Sequence, residues 1–419
     1  MPKKSPNEQN KEAVKPNGKL NKINHDFMHT ENMRIIFEHL RLGNANTKRG
    51  IEQHTKLSWG TVSVTINELL DRGLITYASG EGEEQKIGHP TVFYKINSAD
   101  NLLIGIDVNV ESLRIVVTDL MYKVLFSKRE LLVVQEKDFI LDTISKLIEE
   151  AVKFIGTSKH ILGIGFAVMG AVDRKNGVAI YSQHFKNWKY VNIKDIFENK
   201  YHLPVIVEND ANCYAIAEMA IGKAGDYDNV LFLRLDLGIG MGIVINGEIY
   251  NGANGNAGEF GHICYEPDGL PCSCGRKGCL EAYAAVSGIA NSYRRNTTGM
   301  MKTNHDNFYQ DINIVQNLAE TAAAGDEKAR EYFTAAGKCL GRGLGSAITL
   351  LNPDIVVLGG MLMKFSDIFI NELNTVAKEN VWEYSEVNIM QSELDGYASA
   401  IGAAAALLQT IFFANILSN

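Results

Sequence analysis

A chain of 419 residues that is 46% hydrophobic can bury more than one core, and two to three domains are expected. Met1-Pro2-Lys3-Lys4 has no apolar run behind it, so no secretion signal is read. The formal charge of −8 is unevenly shared: residues 1–100 hold fourteen Lys/Arg against twelve Asp/Glu, and the rest hold 27 against 37. A basic first segment on an acidic body fits a cytoplasmic protein that touches nucleic acid at one end only.

Residues 1–30 are expected to form a disordered basic arm, because Lys3, Lys4, Lys11, Lys15, Lys19 and Lys22 stand among Pro, Asn and Gln with little apolar surface to bury. Two readings stay open for it, a solvated tail or a contact with DNA phosphates. From Glu31 the pattern turns helical. Ile35, Ile36, Leu40 and Leu42 define a first helix ended by Gly43, and Thr47 to Thr55 a short second one. Ser58 is a good N-cap for a third, in which Val62, Ile66, Leu69 and Leu70 recur at helical spacing before Gly73. Leu74 to Tyr77 and Val92 to Ile96 then read as two short strands around an acidic, Gly-containing tip, which makes residues 31–97 a winged helix-turn-helix.

In such a fold the third helix enters the major groove with its N-terminal turns. With Val62, Ile66 and Leu69 committed to the core, the groove side is expected to carry Trp59, Gly60, Thr61, Ser63, Thr65 and Asn67, with Ser58 at the helix start. Lys48, Arg49 and Lys56 are placed to meet phosphates, and His89 sits in the wing. A protein-binding winged helix is the alternative reading.

After a linker at Asn97 to Asn101, Leu102 to Asp107 and Leu113 to Asp119 form a hairpin. Gly163 to Asp173 is a strand and loop, and Pro204 to Asn212 contains Glu208-Asn209-Asp210-Ala211-Asn212. Gly238-Ile239-Gly240-Met241-Gly242 is a glycine-rich turn. The stretch Glu259 to Glu281 then packs His262, Cys272, Cys274 and Cys279 into fewer than twenty residues. Thiolate and imidazole are what tetrahedral structural Zn²⁺ prefers, and three Cys with one His leave no open position, so the metal's role is expected to be structural. Disulfides or reduced thiols are the alternative; Cys272 and Cys274 are too close for an easy mutual bridge, and Cys264 is taken as a spectator. Asp311 to Leu351 reads as helical, and Asn352 to Gly360 as a buried strand entering a Gly-Gly turn. The apolar stretch Ala398 to Ile416 carries Ser399, Gln409, Thr410 and Asn415, so a buried or dimer-facing helix is expected there in place of a membrane span.

The run from Gly238 to Gly242, Gly252, Gly258, Gly261 and His262, and the C-x-C-G-x-x-G-C-x-E pattern from Cys272 to Glu281, together resemble the ROK family of sugar kinases, repressors and open reading frames. Residues 31–97 resemble the DNA-binding domains of its repressors; Gly88-His89-Pro90 stands where many relatives have G-R-P, with His89 departing from the Arg. The resemblance implies a two-lobed actin-like ATPase body: a first α/β lobe over residues 98–205, completed by helix 398–419, and a second, larger lobe over 206–397 that holds the zinc site. It also implies a sugar site at Asn209, Asp210, Glu259, His262 and Glu281, where the kinases use the Asp as general base. A His262 bound to zinc through one nitrogen offers the other to the ligand.

Family kinases carry D-x-G-G-T at the first hairpin. This chain has Asp107-Val108-Asn109-Val110-Glu111. A carboxylate at ~4 Å from phosphate costs about 1 to 4 kcal/mol, so ATP binding is expected to be lost, and with it enzymatic activity. Gly238-Ile239-Gly240 lacks the hydroxyl of the family's G-T-G. The resemblance thus implies a sugar-responsive repressor, with operator DNA and a monosaccharide of the xylose or glucose type as partners, acting as a homodimer or dimer of dimers. A hexose kinase is the alternative.

Overall fold

The structure, a computed structural model, describes residues 25–44, 46–78, 91–301, 308–383 and 386–414. Most of the basic arm, the wing tip with His89, and the last five residues lie outside them. Among the described residues no helix is long and apolar enough to cross a membrane.

The chain opens with α1 (His25–Arg41), α2 (Lys48–Thr55) and α3 (Trp59–Asp71), followed by the antiparallel hairpin β1 (Ile75–Tyr77) and β2 (Tyr94–Ile96). Helix α1 begins at His25, ahead of the Glu31 read from periodicity. Ser58 caps α3 through the Thr61 amide, as its position suggested, and Thr47, read as the first residue of the second helix, caps α2 through the Gly50 amide. Met33, Ile36 and Phe37 on α1 meet Ile51, Val62, Ile66 and Leu69 in a solvent-free core.

The first body sheet is built from β3 (Asn101–Val108), β4 (Ser112–Asp119), β5 (Val124–Leu131), β6 (His160–Val168) after α4 (Lys137–Ile155), and a fifth strand. A small antiparallel excursion, β7 (Ala171–Asp173), β8 (Val178–Tyr181) and β9 (Lys189–Asn192), and α5 (Ile193–Tyr201) precede that strand, β10 (Val205–Asn209), which runs into α6 (Asp210–Ile221). The sheet thus takes β10 from beyond the lobe boundary expected at residue 205.

The second sheet contains β11 (Val230–Leu235), β12 (Ile239–Ile245) and β13 (Glu248–Ile249). Four helices follow, α7 (Glu281–Ala284), α8 (Val286–Thr298), α9 (Phe308–Ala323) and α10 (Glu327–Leu351), and then β14 (Ile355–Gly359), α11 (Ile370–Glu379) and β15 (Asn388–Gln391). In each sheet, numbering its own strands along the chain, the order is 3-2-1-4-5, with the second strand antiparallel to the first and the fourth parallel to it. Two lobes of one topology face each other, and ligand sites in such folds lie at the carboxyl ends of the strands.

Helix α12 (Ala398–Ala414) returns to the first sheet. Its Ala-rich face lies so close that a β-carbon at Gly165 would stand 2.1 Å from the Ala403 carbonyl oxygen, and one at Gly105 would stand 1.9 Å from that of Ala400. From Ala398 to Leu408 it is buried within its own chain, except that Gly402 and Ser399 bring no apolar bulk. The same helix touches the head: Ile401, Ala405 and Leu408 share one apolar cluster with Phe37 and Leu40 of α1 and with Leu120 and Tyr122. Arg41 lies over the Tyr122 ring at 4.9 Å, which ties the head's first helix to the first lobe.

Candidate functional site

Between the lobes lies a cavity of about 480 Å³, and all five expected polar residues, Asn209, Asp210, Glu259, His262 and Glu281, line it. Two of them arrive at the β10–α6 junction. Asn209 Oδ1 caps α6 by accepting from the Ala211 and Asn212 amides at 2.9 and 3.3 Å, and its Nδ2 donates to the Gly170 carbonyl at 3.1 Å. It therefore fixes the helix start and the opposite loop together. Asp210 sits in the first turn, where the helix dipole favours a carboxylate. Its Oδ1 accepts from the Ala211 amide and its Oδ2 from Arg234 Nη1 at 2.7 Å. Burial pushes the Asp210 carboxyl up to about 6, against the opposing pull of Arg234 and with help from Asp107 and Asp236.

The other three come from the cysteine-rich loop. Glu281 is buried at the start of α7; its Oε2 accepts from the Ile239 amide at 3.0 Å and its Oε1 from Ser273 Oγ at 3.2 Å, so it joins the glycine-rich turn to the cysteine loop. Gly238 is required there, since a β-carbon would meet Glu281 Oε2 at 2.5 Å. Burial raises the Glu259 carboxyl, and nearby Glu281 adds to the rise while His262 opposes it. The result is a cluster of planar acceptors and amides suited to several hydroxyls.

Periodicity could not reveal Ser182, Gln183 and His184, which reach the same cavity from the β8–β9 connection. They approach only because Phe185 and Trp188, with ring centroids 5.1 Å apart, anchor that connection on the core. Arg234 was also missed. As a charge on a strand that otherwise reads as buried, it carried a signal.

One ligand-type atom from each of His262, Cys272, Cys274 and Cys279 lies within 4.8 Å of the others. Cys274 Sγ is 3.6 Å from Cys279 Sγ, and Cys272 Sγ is 3.7 Å from His262 Nδ1. Bonds of about 2.3 Å to sulfur and 2.0 Å to nitrogen give a tetrahedron with edges of roughly 3.5 to 3.8 Å, which these two distances match, and all four donors lie close enough together to hold a metal ion. Burial works against ionising Cys274, but hydrogen bonds from Arg276 outweigh it and bring the thiol down to about 7. The nitrogen turned to the thiols is Nδ1; Nε2 faces Glu259 at 3.9 Å. Cys264 is exposed and outside the group.

A second cavity of about 770 Å³ adjoins the first and shares Met169, Arg234 and Asp236 with it. Asp107, Asn109 and Glu111 line it. Glu111 is not a bare charge: Arg129 holds it at 2.5 Å and Arg114 at 3.4 Å, while Arg114 also pairs with Asp107 at 2.8 Å. The repulsion expected from Glu111 alone is thus replaced by a chain of ion pairs, Asp107–Arg114–Glu111–Arg129, in which its charge is already countered.

On the head, Ser58, Trp59, Gly60 and Asn67 are exposed, as is Arg49, while Lys48, Thr61 and Ser63 are half-exposed. Thr65 is not on that face. It is 3% exposed, because 62, 65, 66 and 69 form one i, i+3, i+4, i+7 stripe and Thr65 belongs to the core side of it. Val64, 61% exposed, stands in its place on the outer face.

A family model described as "ROK family" matches residues 103–410. The xylose repressor of Bacillus subtilis (strain 168) is 26% identical over 385 residues, covering 91% of this chain and 96% of that protein. The glucokinase of Thermotoga maritima is 29% identical over 294 residues, covering 68% of this chain and 89% of the enzyme. Among solved structures, a ROK family transcriptional regulator described as a homolog of the E. coli MLC protein superposes with a TM-score of 0.78 at 22% identity, over 94% of this chain and 100% of that one. At that identity the likeness is one of fold.

Proposed function

The chain belongs to the ROK family, with a mixed α/β, actin-like ATPase-like body, and from that premise we propose that it is a sugar-responsive transcriptional repressor. The observation that carries the reading is the pairing of a three-helix head, whose α3 offers an exposed polar face, with a cleft that gathers Asn209, Asp210, Glu259, His262 and Glu281. The repressor relative is matched over nearly its whole length, head included, whereas the glucokinase match covers only about two thirds of this chain.

The head is a winged helix-turn-helix, and α3 reads the major groove of operator DNA through Trp59, Gly60, Thr61, Ser63, Val64 and Asn67, with Val64 suited to a thymine methyl. Ser58 sets the helix start, Lys48 and Arg49 meet phosphates, and His89 belongs to the wing. The cleft takes a monosaccharide of the xylose or glucose type. Zn²⁺ held by His262 Nδ1, Cys272, Cys274 and Cys279 braces the loop that carries Glu259 and Glu281, leaving His262 Nε2–H for the ligand. Two heads of a dimer would span two half-sites, and the sugar acts by the difference in its affinity for the two arrangements of the lobes. Helix α12, packed on both the first sheet and α1, is the element through which the cleft reaches the head.

Anisotropy of labelled operator duplex, with and without D-xylose, D-glucose or N-acetylglucosamine, tests the whole reading. A chain that fails to hold duplex at low salt would end it. Asn67→Ala is expected to weaken operator binding roughly 5- to 150-fold, the value of about 1–3 kcal/mol for one lost base contact, and Thr65→Ser to leave it unchanged. Asp210→Asn is expected to weaken sugar binding by roughly ten- to a hundredfold, since hydrogen bonds to a charged group contribute about 1.5–3 kcal/mol; calorimetry reads this directly, and an unchanged affinity would remove Asp210 from the site.

A hexose kinase is the second reading, favoured by the retained Asp210 and by the open second cavity. Against it stand the Asp107–Arg114–Glu111–Arg129 network, where a phosphate would need free donors, and the ion pair that occupies Asp210. Coupled-assay turnover with ATP would decide for the kinase.

A further inference from the structure

The two cavities meet at one side chain. Arg234 is 7% exposed and lines both. Its Nη1 donates to Asp210 Oδ2 at 2.7 Å, its Nε to Asp236 Oδ2 at 2.6 Å, and Nη1 also reaches Ser399 Oγ on α12 at 3.3 Å. A planar fork that serves two carboxylates through separate nitrogens holds both in fixed orientation, which a lysine ammonium does not.

We propose that Arg234 is the positioning residue of the sugar site: its guanidinium keeps Asp210 ionised at neutral pH and aimed as an acceptor for a ligand hydroxyl. The inference rests on the reading of the cleft as a monosaccharide site. A buried carboxylate without a counter-ion takes up a proton. Around Asp210 stand Asp107 on β3, Arg114 on β4, Asp236 just after β11 and uncharged Ser399 on α12, and Glu259, His262 and Glu281 line the same cavity. Glu208, its neighbour on β10, is engaged elsewhere by the Asn209 amide, Asn212 and Arg174. Arg234 is the cation in direct contact with Asp210 among the described residues. A carboxylate oxygen already bound to a guanidinium has lower affinity for a proton but keeps its remaining lone pairs for neutral donors.

The test is calorimetric titration of the full chain with D-xylose, D-glucose and N-acetylglucosamine between pH 5 and 8. In the unaltered chain affinity is expected to hold at neutral pH and to fall as pH drops through about 6, where Asp210 takes its proton. Arg234→Met is expected to move that midpoint up by at least about one unit and to lower affinity at pH 7 by roughly tenfold or more. Because this change strips two buried carboxylates of their partner, Arg234→Met/Asp236→Asn is measured beside it as a charge-balanced variant, with a smaller upward shift expected because Asp236 no longer adds to the rise. Arg234→Lys keeps the midpoint near that of the unaltered chain while losing affinity. Equal midpoints in the Met-containing variants and the unaltered chain overturn the inference and leave the sugar reading standing. Absence of binding of all three sugars to the unaltered chain overturns both.

Discussion

Cys279→Ala is expected to lower the melting temperature by about 6–12 °C and to abolish the stoichiometric zinc that elemental analysis of the purified chain should detect. The magnitude follows from two figures. Structural zinc contributes on the order of 10 kcal/mol in isolated zinc-finger peptides. Here the loop has other supports, the Leu280 amide to the Ile263 carbonyl and the Tyr265 amide to the Gly278 carbonyl among them, so about a third of that is taken, and about 3 kcal/mol at roughly 2–4 °C per kcal/mol gives the range. The loss should also reach the sugar. Glu281 follows Cys279 by two residues and holds the Ile239 amide, so a loosened loop frees the turn that closes the cleft. A melting curve unchanged within a degree, in a protein free of zinc, would show that hydrogen bonds alone hold this loop.

Gly165→Val is the second large effect. A β-carbon there would lie 2.1 Å from the Ala403 carbonyl oxygen and 2.6 Å from its carbon, both backbone atoms, so α12 must shift as a whole. Overpacking of this kind costs about 3 kcal/mol or more. Since α12 packs on the first sheet, on α6 and on the head's α1, the variant should lose thermal stability, sugar affinity and operator affinity together. Gly396→Ala is the control, because the nearest atom to its added carbon is Arg114 Nε at 3.9 Å. Wild-type melting of Gly165→Val would mean that α12 is not seated where the structure has it.

Much of the head was legible along the chain. Ser58 capped α3, Gly73 adopted its left-handed turn at φ +67°, and Val62, Ile66 and Leu69 were buried at the spacing that marked them. These are short-range facts, settled within one or two helical turns. Thr65 was misplaced for a reason equally local: its hydroxyl suggested the polar side, but its position in the i, i+3, i+4, i+7 stripe outranked its chemistry. Glu111 shows a different limit. Its charge could be read, but its partner Arg129 lies eighteen residues on, and only the β4–β5 pairing brings that guanidinium to it.

By itself the sequence determined the Cys/His cluster at His262, Cys272, Cys274 and Cys279, because four donors within one glycine-rich loop converge by turn geometry, and the acid-amide motif at Glu208 to Asn212, because a strand running into a capped helix is a local event. It also marked the hairpin of β3 and β4 and the buried strand β14, whose apolar runs are continuous, but not β5, whose charged, exposed residues carry no such run. The three-dimensional packing alone decided what Asp210 is able to do. Its counter-ion sits on a strand of the opposite lobe, and the balance of three carboxylates against Arg234 is set by distances of a few ångströms between elements remote along the chain, where Coulomb energies change steeply and no periodicity records them.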